Sequence, residues 1–188
     1  MALGIIREGA QPDEWALRNL QLAVPGKFSG PMYSQGEYRC APSNVPQGWY
    51  VKDCTYSGIS FLHSSVKPAS VAGSGGLRVV LARDGGILSA LVADSDGKPV
   101  GDAPVTIFPA STASDGDLAQ RMIWGHTDQN GHYQSAMLAP GKYYAVAVQV
   151  NQVKPESVAR LRSLRNRAVE VTLGDGGTVQ VTLEPVDR

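Results

Sequence analysis

Residues able to cut a substrate are few, and their spacing is poor for it. His63, His126 and His132 are the only imidazoles in the 188-residue chain. A zinc hydrolase brings two histidines and a glutamate onto one helix face through H-E-x-x-H spacing. Here His126 is followed by Thr-Asp-Gln and His132 by Tyr-Gln-Ser, so neither opens such a motif. A serine hydrolase elbow requires G-x-S-x-G, whereas Gly58-Ile59-Ser60-Phe61-Leu62 lacks the closing glycine. Asp94-Ser95-Asp96-Gly97 and Asp128-Gln129-Asn130-Gly131 each offer two side-chain oxygens near a glycine. An EF-type calcium loop also needs a third ligand and a distal bidentate glutamate, and ordinary turn chemistry accounts for both segments. Gly73-Ser74-Gly75-Gly76 lacks the Lys-Ser/Thr of a phosphate loop and precedes a strand pattern, not a helix. No catalytic residue, metal or cofactor is expected, and the chain reads as a non-enzyme.

Residues able to hold a partner are more numerous. Lys154, Arg160, Arg162, Arg165 and Arg167 are opposed only by Glu156. Such a patch holds an anion or a partner's acidic face, although solvated helix surface is the commoner use. Trp124 and Trp49, with His126 close by in sequence, make a sugar-stacking platform if both indoles are exposed. Cys40 and Cys54 flank a turn near Gln47-Gly48. If Tyr38 lies opposite Tyr56, the cysteines face each other and a cross-strand disulfide closes. Pro42 and Pro46 disturb that register, so a disulfide and two reduced thiols both stay open.

These side chains must be carried by strands. Period-2 alternation recurs in short runs bounded by Gly, Pro, Asn and Asp, while long helical periodicity is nearly absent. The clearest runs are 87–92, 105–108, 143–150, 169–173 and 179–183. In the last two, Val169, Val171, Leu173, Val179, Val181 and Leu183 are expected to face a core, and Gly174-Asp175-Gly176-Gly177 between them reads as a hairpin connection. Asn130-Gly131 reads as a hairpin turn with positive φ at both residues. Residues 110–118 read as a mobile loop. Pro155-Glu156 opens a short helix with Val158, Leu161 and Leu164 on one stripe.

A repeat organises the chain. Gly26-Lys27-Phe28, Met32 and Gly36-Glu37-Tyr38 recur as Gly131-His132-Tyr133, Met137 and Gly141-Lys142-Tyr143, at a constant offset of 105 positions. Gly73-Ser74-Gly75-Gly76 is echoed by Gly174-Asp175-Gly176-Gly177, each leading into an alternating strand. Two tandem modules are expected, 1–83 and 84–188. By the offset, counterparts of the strands at 87–92 and 105–108 fall before residue 4, so the first module is expected to lack its opening strand or two. An edge left bare in that way invites partner or self pairing.

From Ile87 to Leu183 the chain resembles the carboxypeptidase regulatory-like domain, a transthyretin-like β-sandwich. The resemblance is carried by Asp96-Gly97-Lys98-Pro99-Val100, Ala103-Pro104-Val105-Thr106-Ile107, Thr127-Asp128-Gln129-Asn130-Gly131-His132-Tyr133 and Leu138-Ala139-Pro140-Gly141-Lys142-Tyr143. It covers residues 15–83 more loosely. It implies an all-β chain of two tandem antiparallel Greek-key β-sandwiches, transthyretin-like or immunoglobulin-like, with one short crossover helix near 155–165. It also implies Tyr143 as a corner residue, its ring buried and its hydroxyl bonded. Such modules are accessories of peptidases, surface proteins and outer-membrane receptors. The implied role is therefore a non-catalytic interaction or spacer module of a cell-envelope or secreted protein, although no signal peptide is visible. The expected partner is another protein, or another domain of the same longer chain. Polysaccharide, bound through Trp124, Trp49 and His126, is the second candidate.

Composition agrees with this class. Hydrophobic residues make up 43% and charged residues 18%, enough for a packed core. Lys+Arg and Asp+Glu both number 17, so no overall field collects nucleic acid, and no nucleic-acid partner is expected. No apolar run reaches the ~18–20 residues of a membrane-spanning helix.

Overall fold

The computed structural model describes residues 2–7, 20–21, 36–68, 76–148 and 158–186. Within the chain, contacts divide into two units, Met1–Ala82 and Arg83–Arg188.

The first unit holds two three-stranded sheets. Strand β1 (Ala2–Arg7) pairs antiparallel with β2 (Leu20–Gln21) on one side and β3 (Tyr38–Ser43) on the other. In the second sheet, β4 (Tyr50–Tyr56) lies between β5 (Ile59–Ser60) and β6 (Leu77–Ala82), again antiparallel. Ser57 and Gly58 join β4 to β5 with φ of 48° and 81°. Positive φ at both positions matches a two-residue turn whose twist suits a hairpin. The core gathers Cys40, Cys54, Phe61 and Val66, with Tyr38, Tyr56 and Val79 against them.

Cys40 and Cys54 form a disulfide with Cα atoms 6.5 Å apart. The hairpin register expected for them does not occur. Cys40 sits opposite Ile5 and Cys54 opposite Val79, so the bond joins strands of different sheets. Pro42 is accommodated because β3 is an edge strand, where a missing N–H leaves no ladder bond unmade.

The second unit is a mixed sandwich. Strand β7 (Ile87–Val92) pairs antiparallel with β10 (His132–Gln134) and parallel with β13 (Thr178–Leu183). The facing sheet runs β12 (Val169–Leu173), β11 (Gly141–Val148), β8 (Pro104–Pro109), β9 (Ile123–His126), and β14 (Pro185–Val186) adds a parallel pair to the end of β11. Leu88, Ala90, Val92, Val105, Ile107, Ala145, Val171, Leu173 and Leu183 fill the space between the sheets. The far face of β8 and β11 is also covered. There α1 (Asp115–Arg121) and α2 (Val158–Leu164) place Leu118, Leu161 and Leu164 on Phe108, Val146 and Val148. Burial on both faces explains why β8, Pro-Val-Thr-Ile-Phe-Pro, is apolar nearly throughout.

Four further expectations are corrected here. Val169, expected to face a core, is 40% exposed at the start of β12. The strands at 169–173 and 178–183 are not a hairpin: β12 pairs with β11 and β13 with β7, so the glycine-rich link between them crosses from one sheet to the other. Residues 110–118 are not wholly loop. Ser114 caps α1, its hydroxyl oxygen accepting the Asp117 N–H at 3.1 Å. At Asn130-Gly131, only Gly131 has positive φ, 76°. A Cβ there would lie 2.6 Å from the Val92 carbonyl oxygen, so glycine is required sterically as well.

The repeat has a structural echo where both copies are described. Gly36 and Gly141 take φ of 123° and 153°, and two residues later Tyr38 and Tyr143 each pack on their own unit's core. The half containing Gly26, Phe28 and Met32 lies outside the described residues, as do Gly73–Gly75.

Candidate functional site

Alternation along β9 puts Trp124 and His126 on one face of an edge strand, with Gly125 turned the other way. Gly125 is needed because Tyr133 lies against it, and a Cβ would come 2.5 Å from the ring's Cε2. Trp124 is 47% exposed, and its ring meets His126 edge-on with centroids 6.2 Å apart. His126 Nδ1 lies 3.2 Å from Asp102 Oδ1 and 3.3 Å from the Asp102 carbonyl oxygen. Asp102 occupies the left-handed region, φ 56°, which brings both its oxygens to the imidazole. The result is an exposed indole flanked by a polar, hydrogen-bonding pair. Trp49 is half-buried and belongs to the first unit, as does the exposed His63.

A second feature was not read from the sequence. A cleft of about 370 Å³ opens between the 109–111 segment and the start of β11, with Arg121, Tyr143 and Lys142 among its walls. Helix α1 builds one wall. Buried Asp117 accepts the Ala113 N–H at 3.0 Å and holds Arg121 at 3.4 Å, and Arg121 also donates to the Ser111 carbonyl. Tyr143 buries its ring and donates its hydroxyl to the Ala139 carbonyl at 2.8 Å, as its corner role requires. Burial pushes the Tyr143 phenol above its ordinary pKa, and the nearby Arg121 offsets part of that rise. Burial alone raises Tyr133. The sequence signal was Ser114-x-x-Asp117 ahead of Leu118, a capping pattern concealed by the polar composition around it.

Much of the described basic run is engaged within its own unit. Arg162 pairs with Asp115 across α2 and α1. Arg165 lies over the Tyr144 ring, 4.9 Å from its centroid, and donates to the Tyr144 hydroxyl at 3.2 Å. That hydroxyl in turn donates to Glu170, which Lys142 meets at 3.1 Å. The Lys142 ammonium, and then the Tyr144 hydroxyl, hold the Glu170 carboxyl below its ordinary pKa. Arg167 is exposed. Lys154 and the Arg160 side chain lie outside the described residues.

The aspartate loops are turns. Asp94 Oδ1 accepts the N–H groups of Asp96 and Lys98 at 3.1 and 2.8 Å. Asp128 Oδ1 accepts those of Asn130 and His132 at 2.9 and 2.8 Å. Among the described residues, no three His, Cys, Asp or Glu side chains converge as a metal site.

No family model and no curated protein matches the chain. Among solved structures, the minor pilin of Streptococcus agalactiae overlaps at 14% identity and a TM-score of 0.39, over 97% of this chain and 81% of that one. A major pilin variant of Bacillus cereus overlaps at 14% identity and a TM-score of 0.38; this chain covers 54% of its length and is itself covered over 98%. A Pseudomonas aeruginosa protein provisionally assigned to carbohydrate binding overlaps at 14% identity and a TM-score of 0.34, over 54% of this chain and 88% of that one. The all-β architecture rests on the strands described above and not on these distant likenesses.

Proposed function

We propose that the protein is a non-catalytic β-sandwich accessory module of a cell-envelope or secreted protein, acting through contact with another protein or as a spacer. The observation that carries this reading is the use to which reactive-looking side chains are put. Asp94 and Asp128 organise turns, buried Thr127 and Ser135 bond backbone groups, and buried Asp117 anchors Arg121. Hydrogen bonds made within the scaffold fix its shape and leave loops and edges to meet a partner. The buried disulfide supports an oxidising compartment, as an exported protein meets. Of the segments behind the resemblance to carboxypeptidase regulatory-like domains, Asp96–Val100, Thr127–Tyr133 and Leu138–Tyr143 lie in turns and at the corner of the second unit, and Ala103–Ile107 runs into β8. Assays of the purified chain on peptide, ester and glycoside substrates should show no turnover above a heat-denatured control. Turnover that co-purifies with the chain through successive columns overturns the proposal.

One observation favours a second reading, carbohydrate binding. Trp124 is exposed beside His126 and Asp102, the pairing of apolar platform and hydrogen-bonding groups that a sugar ring needs. Glycan-array binding that Trp124→Ala abolishes selects this reading, and silence across polysaccharides rejects it.

A further inference from the structure

Strand β13 contains Thr178-Val179-Gln180-Val181-Thr182, a sequence that reads the same in both directions. It is the outer strand of its sheet, and the opposite edge, β10, is only three residues long. The parallel ladder determines which β13 groups face inward. Ile87 N–H bonds the Gly177 carbonyl at 2.9 Å and Ala93 N–H the Leu183 carbonyl at 3.0 Å. Alternation along the strand therefore turns Val179 and Val181 toward β7, and turns the backbone groups of Thr178, Gln180 and Thr182 away from the sheet. Among the described residues nothing pairs with that outer row. The strand also lacks the lysine, proline or bulge with which natural edges are blunted.

We infer that β13 is a self-association edge, its occupant β13 of a second copy of this chain, running antiparallel about a twofold axis at Gln180. Only a palindromic strand makes this pairing chemically uniform. Gln180 meets Gln180, Thr178 meets Thr182 and Val179 meets Val181, with no charge opposed to a like charge. The outward-facing residues are then the hydrogen-bonded pairs, each exchanging two N–H···O=C bonds. Thr–Thr and Gln–Gln contacts form on the exposed face, and the valines extend the apolar inner face across the axis. The two β10-β7-β13 sheets become one continuous sheet. The inference goes beyond the accessory role and does not depend on it, because a spacer, a protein binder or a sugar binder is equally able to pair in this way.

The test is sedimentation equilibrium on the full chain as wild type, Gln180→Lys, Gln180→Glu and an equimolar mixture of the two variants. The side chain at 180 is exposed, so both substitutions are compatible with the fold, which a melting curve checks. The wild type should show a monomer–dimer equilibrium. Each variant places like charges opposite one another and should associate at least ~10-fold more weakly. The mixture should recover association, because residue 180 faces itself across the axis. A monomeric wild type overturns the inference, as do variants that dimerise like the wild type or a mixture no tighter than its components. Gln180→Cys gives an independent reading. Hydrogen-bonded pairs hold their Cα atoms ~5.5 Å apart, within disulfide range, so mild oxidation should yield a covalent dimer. Failure to crosslink contradicts the register.

Discussion

Replacing Cys40 and Cys54 together by alanine should destabilise the first unit and leave the second untouched. The bond ties β3 to β4 across two sheets, and both cysteines are fully buried at the centre of a small core. The bonded residues are 14 apart in sequence. In the chain-entropy account, closing a loop of that size stabilises by about 3 kcal/mol. Each kcal/mol moves the midpoint of a 60–100-residue domain by ~4–8 °C, so the first-unit transition should fall by on the order of 12–24 °C. Both cysteines lie in the first unit, so the transition of Arg83–Arg188 serves as an internal standard. Differential scanning calorimetry of wild type and variant, repeated with reductant, reads both transitions. Reductant should lower the wild-type first transition and leave the variant unchanged. A first transition that moves by less than ~2 °C refutes the reasoning, as does an equal fall in both.

Other outcomes follow from the second unit. Tyr143→Phe removes the hydroxyl bonded to Ala139 and should cost about 1 kcal/mol in urea unfolding, with the slope unchanged. Ser114→Ala should cost about 1 kcal/mol by uncapping α1, and should speed hydrogen exchange at the Asp117 amide. Glu170 should titrate by NMR below the ordinary ~4.3, and Lys142→Gln should move it upward. Because its folded pKa is depressed, the stability it contributes is present above its unfolded pKa and lost as pH falls through the folded one. Tyr143 and Tyr133 have the opposite sign. Their raised values mean stability present below the ordinary ~10 and lost as pH rises through the folded pKa, readable as late phenolate absorbance and alkaline unfolding.

Strand positions were legible because alternation is a local property. The expected 87–92 run coincides with β7, and the 105–108 run lies inside β8. Helix α2 was legible from the stripe through Leu161 and Leu164, both of which are buried. Pairing was not legible, because alternation states which side chains face a core and is silent on which strand lies alongside. The link 174–177 suits a hairpin locally, yet β12 and β13 each satisfy their backbone groups in opposite sheets. Cys40 and Cys54 show the same limit: proximity in sequence suggested one ladder, whereas the side chains meet across two. Helix α1 was missed because its capping serine and buried Asp117 are the residue types that elsewhere make loops. The corner role of Tyr143 was legible only through the family resemblance, since no single-residue pattern distinguishes it from the other tyrosines.

The proposed accessory role places the protein in the cell envelope or the secreted fraction, where an oxidising environment keeps the Cys40–Cys54 disulfide closed. The most direct test is fractionation of the source cells, with thiols alkylated at lysis and the intact protein weighed. The protein should be recovered from the envelope or the medium, with Cys40 and Cys54 unalkylated and the mass lighter by two hydrogens. Recovery from the cytoplasm with both cysteines alkylated contradicts that role.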